Sequence, residues 1–290
     1  MSKINPELSS KCCDFQIINS NKFNGFIQLK SIGKLFGIIR IPIKFHKRAN
    51  KWKETYKMKT SFLFSHQCVE IRWEKALGKK TEGITVGADS GYRTTITFSN
   101  RMETIKIDKH SHSLESITHK MARQKKGSKA FEKTKKQREN FINWQINNIN
   151  LSDVKIVKLE KVNVKYKRQT SRLMSHWSHP LIRDKLLRKC EELEVLVIQQ
   201  SPTYRSQRCH QCGLVRKANR KGKEYKCSGC GMICDADLNA AINHEQELPS
   251  VPYNLRKLRK NRGNGFYWKP SGFFEITGEE LRVPLSNDKR

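Results

Sequence analysis

Four cysteines, Cys209, Cys212, Cys227 and Cys230, form two Cys-x-x-Cys pairs separated by fourteen residues. Zinc takes four thiolates in a tetrahedron, and two such knuckles wrap one ion from opposite sides. Each pair is followed at once by glycine, Gly213 or Gly231, so the backbone is free to curl until its amides face the sulfurs. The spacing predicts a closed, structural zinc site in a zinc ribbon. Cys234 belongs to neither pair and reads as a spare thiol.

Carboxylates supply a second, harder set of candidate ligands. Asp89 ends the apolar run Thr85-Val-Gly-Ala-Asp, Glu160 ends Val154-Lys-Ile-Val-Lys-Leu-Glu, and Asp237 opens a helix just past the cysteines. Taken singly, each has a plain reading as a turn residue, a strand-end charge or a helix cap. Together they suit hydrolysis of a phosphodiester, in which converging carboxylates hold two oxygen-seeking cations, expected to be magnesium, about 4 Å apart. Asp235 competes with Asp237 for the third place. Asp237 is preferred because it begins the helical phase of Leu238, Ala241 and Ile242. Ser90 and Asn239 are candidates for orienting the ligands.

Elements must then bring these residues together. From about Phe15 to Trp73, period-two runs separated by lysine-rich turns predict a small, mostly antiparallel sheet or barrel in residues 1–80. After the linker Gly78-Lys-Lys-Thr-Glu-Gly, the strand ending at Asp89 is followed by Thr94-Thr-Ile-Thr-Phe and Thr104-Ile-Lys-Ile, read as the next two strands of a meander. Residues 113–148 predict a helical hairpin broken at Gly127-Ser128. Its cations, Lys120, Arg123, Lys125, Lys126, Lys129, Lys133, Lys135, Lys136 and Arg138, have few acids nearby and are assigned as a set to phosphate contacts. A fourth strand ends at Glu160, a basic loop runs from Lys161 to Arg172, a helix lies near His179–Glu194, and Val195-Leu-Val-Ile is the fifth strand. Three strands, a helical excursion, a strand, a helix, a strand and a last helix is the order of an RNase H-like α/β fold. On this reading residues 84–200 form its first part, 201–234 the inserted ribbon and 235–247 its last helix. Residues 248–290 form a basic and aromatic tail that either packs back or waits for a partner.

Composition narrows the partners. Lysine and arginine total 58 against 27 acids, a formal net charge of +31, and a field of that size draws polyanions, nucleic acid above all. Cys12, Cys13, Cys68 and Cys190 lack framework spacing, and no secretory or membrane-spanning stretch is read from the sequence, so an intracellular setting is expected.

These residues resemble a known family. Val86-Gly-Ala-Asp-Ser-Gly looks like its first catalytic strand, Val157-Lys-Leu-Glu its second, and Ser201-Pro-Thr-Tyr-Arg-Ser-Gln-Arg-Cys through Asp237-Leu-Asn-Ala-Ala-Ile-Asn its ribbon and third station. The family is that of the TnpB proteins, OrfB-type products of insertion sequences, with compact type V CRISPR nucleases and Fanzor proteins as relatives. The resemblance implies a RuvC-like nuclease domain behind a wedge-type barrel, a guide RNA, and DNA cleavage with Asp89, Glu160 and Asp237 as magnesium ligands. In such systems base pairing reads sequence while the protein reads shape and a short flanking motif. Ala236 stands where the family commonly carries arginine, and residues 1–80 are few for both a barrel and the helical insertion that full-length members have. An abbreviated front region is therefore expected. A cleavage-deficient guided binding protein and a strand-transfer transposase are the alternatives.

Overall fold

The structure is a computed structural model that describes residues 6–18, 20, 22–30, 37–65, 68–76, 78–91, 93–161, 178–252, 255, 265–277 and 279. Most of the basic loop (162–172) and the basic run of the tail (256–262) lie outside the described residues. The chain divides into two compact units, Met1–Leu77 and Gly78–Arg290.

In the first unit, β1 (Glu7–Leu8), β5 (Lys57–Phe64) and β6 (Val69–Glu74) form one antiparallel sheet. The second consists of β2 (Cys13–Ile17), β3 (Gly25–Leu29) and β4 (Ile39–Ile43). Cys13 and Ile27 of the second sheet and Phe62 of the first form the buried centre of the unit. Pro42 sits in the edge strand β4, where a missing N–H costs least. A helix that alternation does not reveal, α1 (Lys47–Thr55), lies between the sheets in sequence. The His46 side chain accepts from the Ala49 N–H at its start, and Ala49 is buried. Its nine lysine-rich residues offer too short an apolar stripe for period 3.6 to stand out.

The second unit is built on a four-stranded sheet in the order β10-β9-β7-β8, from β7 (Ile84–Asp89), β8 (Thr97–Phe98), β9 (Val154–Glu160) and β10 (Leu196–Gln200). β7, β9 and β10 run parallel, and β8 is antiparallel to β7. Apolar side chains from these strands pack against α2 (Leu114–Arg123), α3 (Lys129–Asn147) and α4 (His179–Glu192) in one core that includes Val86, Ala88, Ile142, Val157 and Leu186. Ser113 and Ser128 cap α2 and α3 through side-chain oxygens that accept from Ser116 and Phe131 amides.

The predicted second and third strands shrink. Of Thr94–Phe98 only β8 is a strand, and Thr104–Ile107 contributes one isolated bridge, Ile107 with Ser113, while Glu103 just before it bridges Thr97. The reason is local competition for backbone groups. The Gln145 side-chain amide of α3 donates to the Ile105 carbonyl at 2.6 Å, and Thr104 Oγ1 accepts from the Ile96 amide at 3.2 Å. Side chains thus take contacts that a strand ladder would use.

Beyond β10 lies a module of small sheets. β12 (Arg220–Lys221), β13 (Glu224–Lys226) and β14 (Ile233–Asp235) form one, which leads directly into α5 (Ala236–Glu245). β11 (Leu214–Val215) pairs with β15 (Phe266–Lys269), which pairs with β16 (Gly272–Phe274). Residues 265–277 therefore pack back on the ribbon. Trp268 is buried there, its indole N–H donating to the Pro249 carbonyl at 3.1 Å, with Arg205 stacked 5.4 Å from the ring centroid.

Candidate active site and metal centre

The cysteine pairs adopt the geometry that their spacing predicts. Gly213 N–H donates to the Cys209 carbonyl and Gly231 N–H to the Cys227 carbonyl, closing two equivalent turns. Both glycines have positive φ, 85° and 75°, a conformation that a side chain disfavours. Sulfur separations are 3.7 Å for Cys209–Cys230 and 3.6 Å for Cys212–Cys227, and all four sulfurs lie within 4.8 Å of one another. Zinc–sulfur bonds of about 2.3 Å in a tetrahedron put sulfurs about 3.8 Å apart. The donor set and its spacing fit zinc. The Gly229 amide donates to Cys227 Sγ at 3.4 Å, the kind of contact that steadies a thiolate. Cys234, half-buried on β14, stands outside the cluster.

The carboxylates are assembled across far longer stretches of chain. β7 and β9 are adjacent and parallel, with Ala88 opposite Leu159, so Asp89 and Glu160 emerge side by side at their C-terminal ends. α5 then packs across β7. A Cβ at Gly87 would lie 1.9 Å from the Ala241 carbonyl oxygen, so only glycine admits the helix at this distance. Ala240 and Ala241 are fully buried at the crossing. The far end of the helix is tied down by buried Lys158 of β9, whose ammonium donates to the Glu245 carbonyl at 2.8 Å and pairs with Glu247. A cation at a helix C-terminus is also favoured by the helix dipole.

Asp235 and Asp237 separate cleanly. The Asp235 carboxylate caps α5, accepting from the Asp237 and Leu238 amides at 2.8 and 3.1 Å. Asp237, in the first turn of α5, lines a cavity of about 450 Å³ with Asp89, Glu160, Arg93, Arg220 and Lys223. Its carboxylate pairs with Arg220 at 2.9 Å and Lys223 at 3.5 Å, both from the β12–β13 hairpin of the ribbon. The three predicted ligands thus share one cavity. A second grouping overlaps this set: ligand atoms of Asp89, Glu160 and His244 all lie within 4.8 Å of one another. Two carboxylate oxygens and an imidazole nitrogen so grouped suit a divalent cation.

Charge in this cavity is costly. Burial first, then the Glu160 and Asp237 carboxylates, hold Asp89 well above the usual carboxylate range, with Arg220 opposing. Burial pushes the His244 imidazole down to about 4 against the pull of Glu160. Ser90 Oγ donates to Glu160 Oε1 at 3.2 Å, and buried His179 brings Nε2 within 3.4 Å of the same oxygen.

Asn239 does other work than orienting a metal ligand. Its amide donates to the Arg208 carbonyl at 2.8 Å and its oxygen accepts from the His210 N–H at 3.1 Å. Asn243 donates to the Arg205 and Arg208 carbonyls at 2.9 and 2.7 Å and accepts from Arg208 Nη1 at 2.5 Å. Both asparagines, fully buried, rivet α5 to the first zinc knuckle. Gly87, His179, His244, Arg220 and Lys223 escape the sequence reading. His244 lies two helical turns after Asp237, a spacing that marks it as sharing a face. Arg220 and Lys223 carry no such signal amid so many cations. Among the helical-hairpin cations, Lys133 and Lys136 line a separate cavity with His110, His112 and Trp144, whereas Arg138 is half-buried, and that desolvation lowers its pKa.

Residues 179–244 match the family described as Cas12f1-like, TNB domain. A CRISPR-associated endodeoxyribonuclease Cas12f1 of Sulfoacidibacillus thermotolerans is 40% identical over 74 residues, 25% of this chain and 18% of that protein. The candidate transposase A625R of Paramecium bursaria Chlorella virus 1 is 32% identical over 84 residues, 29% of this chain and 19% of that one. This chain is related to the TnpB-like compact type V nucleases. The cryo-EM structure of a Cas12f1–sgRNA–target DNA complex shares the fold, with a TM-score of 0.51 at 16% identity over 81% of this chain and 61% of that one. The sequence matches thus span about a fifth of these relatives' lengths. The matched segment carries all four cysteines and Asp237, and its two ends are His179 and His244. No described helix is long and apolar enough to cross a membrane.

Proposed function

We propose that the second unit is a RuvC-like, divalent-cation-dependent DNA endonuclease directed by a guide RNA. The observation that carries this reading is the meeting of Asp89 and Glu160 at the ends of parallel neighbours β7 and β9, with Asp237 on α5 in the same cavity. Asp89, Glu160 and Asp237 would hold magnesium, which when bound supplies Lewis-acid activation of water and stabilises charge on the departing 3′ oxygen. The protein's own share is positioning and neutralisation. Ser90 steadies Glu160, while Arg220, Lys223 and Arg93 rim the cavity where a phosphodiester must enter. Arg220 and Lys223 neutralise Asp237 and would stand beside the scissile phosphate in the cavity. The zinc is structural and holds their hairpin in place.

A guide is supported by the complex with sgRNA and target DNA of the structural relative and by the +31 charge, suited to backbone contacts. The first unit, with residues 1–80 read as a wedge-type region, would grip RNA, and the setting would be intracellular. The decisive test purifies the chain with its bound RNA and assays cleavage of matching DNA. Asp89→Ala is expected to reduce cleavage at least about a thousandfold with binding unchanged; undiminished cleavage sinks the assignment. A discrete noncoding RNA in the preparation is expected, and its absence removes the guided part.

A further inference from the structure

We infer that His244 is itself a cation ligand: a ring nitrogen completes, with one oxygen each from Asp89 and Glu160, a site that binds Mn²⁺ in preference to Mg²⁺. The inference rests on the reading that the acidic cavity holds a divalent cation. Ligand atoms of these three residues all lie within 4.8 Å of one another, and one ion with bonds of about 2.2 Å spans ligands up to about 4.4 Å apart. Small inward shifts therefore suffice.

The imidazole is otherwise hard to account for. His244 is 2% exposed, and among the described residues its Nδ1 has no hydrogen-bond partner. A buried polar atom left unpaired costs about 1–3 kcal/mol, and an aliphatic side chain would fill the same space on α5 without that cost. Arg220 and Lys223 are engaged with Asp237. A second imidazole, that of His179, faces Glu160 from α4. A divalent cation between His244, Asp89 and Glu160 satisfies a nitrogen lone pair and two clustered carboxylates at once.

One nitrogen donor changes which cation is held best. Mg²⁺ is hard, keeps its waters and favours oxygen, whereas Mn²⁺ accepts imidazole more readily. Asp237 then serves from beside this three-ligand set, its carboxylate shared with the ribbon hairpin.

Pulsed electron paramagnetic resonance of Mn²⁺ bound to the full chain, with zinc in its ribbon, tests the point. Histidine labelled with ¹⁵N in the wild-type protein is expected to alter a nitrogen coupling to Mn²⁺. That coupling should vanish in His244→Leu and in His244→Asn, persist in His179→Gln, and be accompanied by an about tenfold or greater loss of Mn²⁺ affinity in the two His244 variants. Labelling the wild type keeps the test informative if one variant folds poorly. Mn²⁺ that binds, depends on Asp89 in an Asp89→Asn control, and shows no histidine coupling overturns the inference while leaving the acidic site standing. A coupling lost only in His179→Gln overturns it as well. Wild-type protein that binds no Mn²⁺ defeats both readings.

Discussion

The zinc ribbon and the acidic cavity are built on opposite plans within one unit. The four sulfurs come from residues 209–230, and two glycine-closed turns bring each pair into position almost alone. The carboxylates come from residues 89, 160 and 237 and meet only because two strands are parallel and a helix crosses one of them closely. Their energetics oppose each other too. Thiolates around zinc supply folding free energy, whereas clustered buried carboxylates cost stability until a cation or a lysine and arginine offset them. The two regions are also joined, since Asn239 and Asn243 fasten the first knuckle to the helix that carries Asp237. A local four-cysteine cluster that fits zinc is thus fastened to the helix that brings Asp237 to the long-range carboxylates.

Removing zinc should have the largest effect. Titrating the thiolates with a mercurial is expected to release one zinc per chain, expose 201–235 to protease and abolish cleavage, while α2 and α3 stay protected. A chain containing no zinc as purified removes the ribbon from the comparison. Gly87→Val should come next, costing about 1–3 kcal/mol through a side chain forced against Ala241. Cation binding at the carboxylates should fall while one zinc per chain is retained, measured by metal analysis. Equal loss of both metals would show that the two sites are not separable.

Asn243→Ala tests the fastening itself. It leaves buried backbone carbonyls and Arg208 short of partners, at a cost of about 1–3 kcal/mol, or roughly 2–4 °C of melting temperature per kcal/mol. Cleavage should fall more than the zinc content does. The smallest effect runs the other way. In magnesium-free buffer at pH 7, Asp89→Asn is expected to raise the melting temperature by a few degrees, since it removes a carboxylate whose ionisation burial and its neighbours oppose. Because the folded state holds that proton more tightly than the unfolded one, wild-type stability falls as pH rises from about 4 through the raised pKa. The advantage of Asn should shrink on acidification toward pH 4, and a gain that persists unchanged there would falsify the electrostatic cause.

Apolar runs foretold the strands that carry Asp89 and Glu160, because an apolar run that stops at a charge marks a buried strand end. The same reading overextended Thr104–Ile107, where Gln145, forty residues away, takes a backbone carbonyl. It missed α1, whose apolar stripe is short, and it misjudged Asn239, whose amide contacts lie on another element. The tail aromatics offered two fates, and pairing of β15 with β11 selects packing against the ribbon.

What the chain determined by itself is what short-range geometry controls: the zinc knuckles, in which spacing and glycine suffice, and the strand and helix ends that hold three carboxylates. Tertiary structure alone decided how those ends combine. The close crossing at Gly87, the pairing of Asp237 with Arg220 and Lys223, and the placing of His244 beside Asp89 and Glu160 all join residues far apart in sequence. Each depends on packing distances between separate elements, which local propensity and periodicity do not encode.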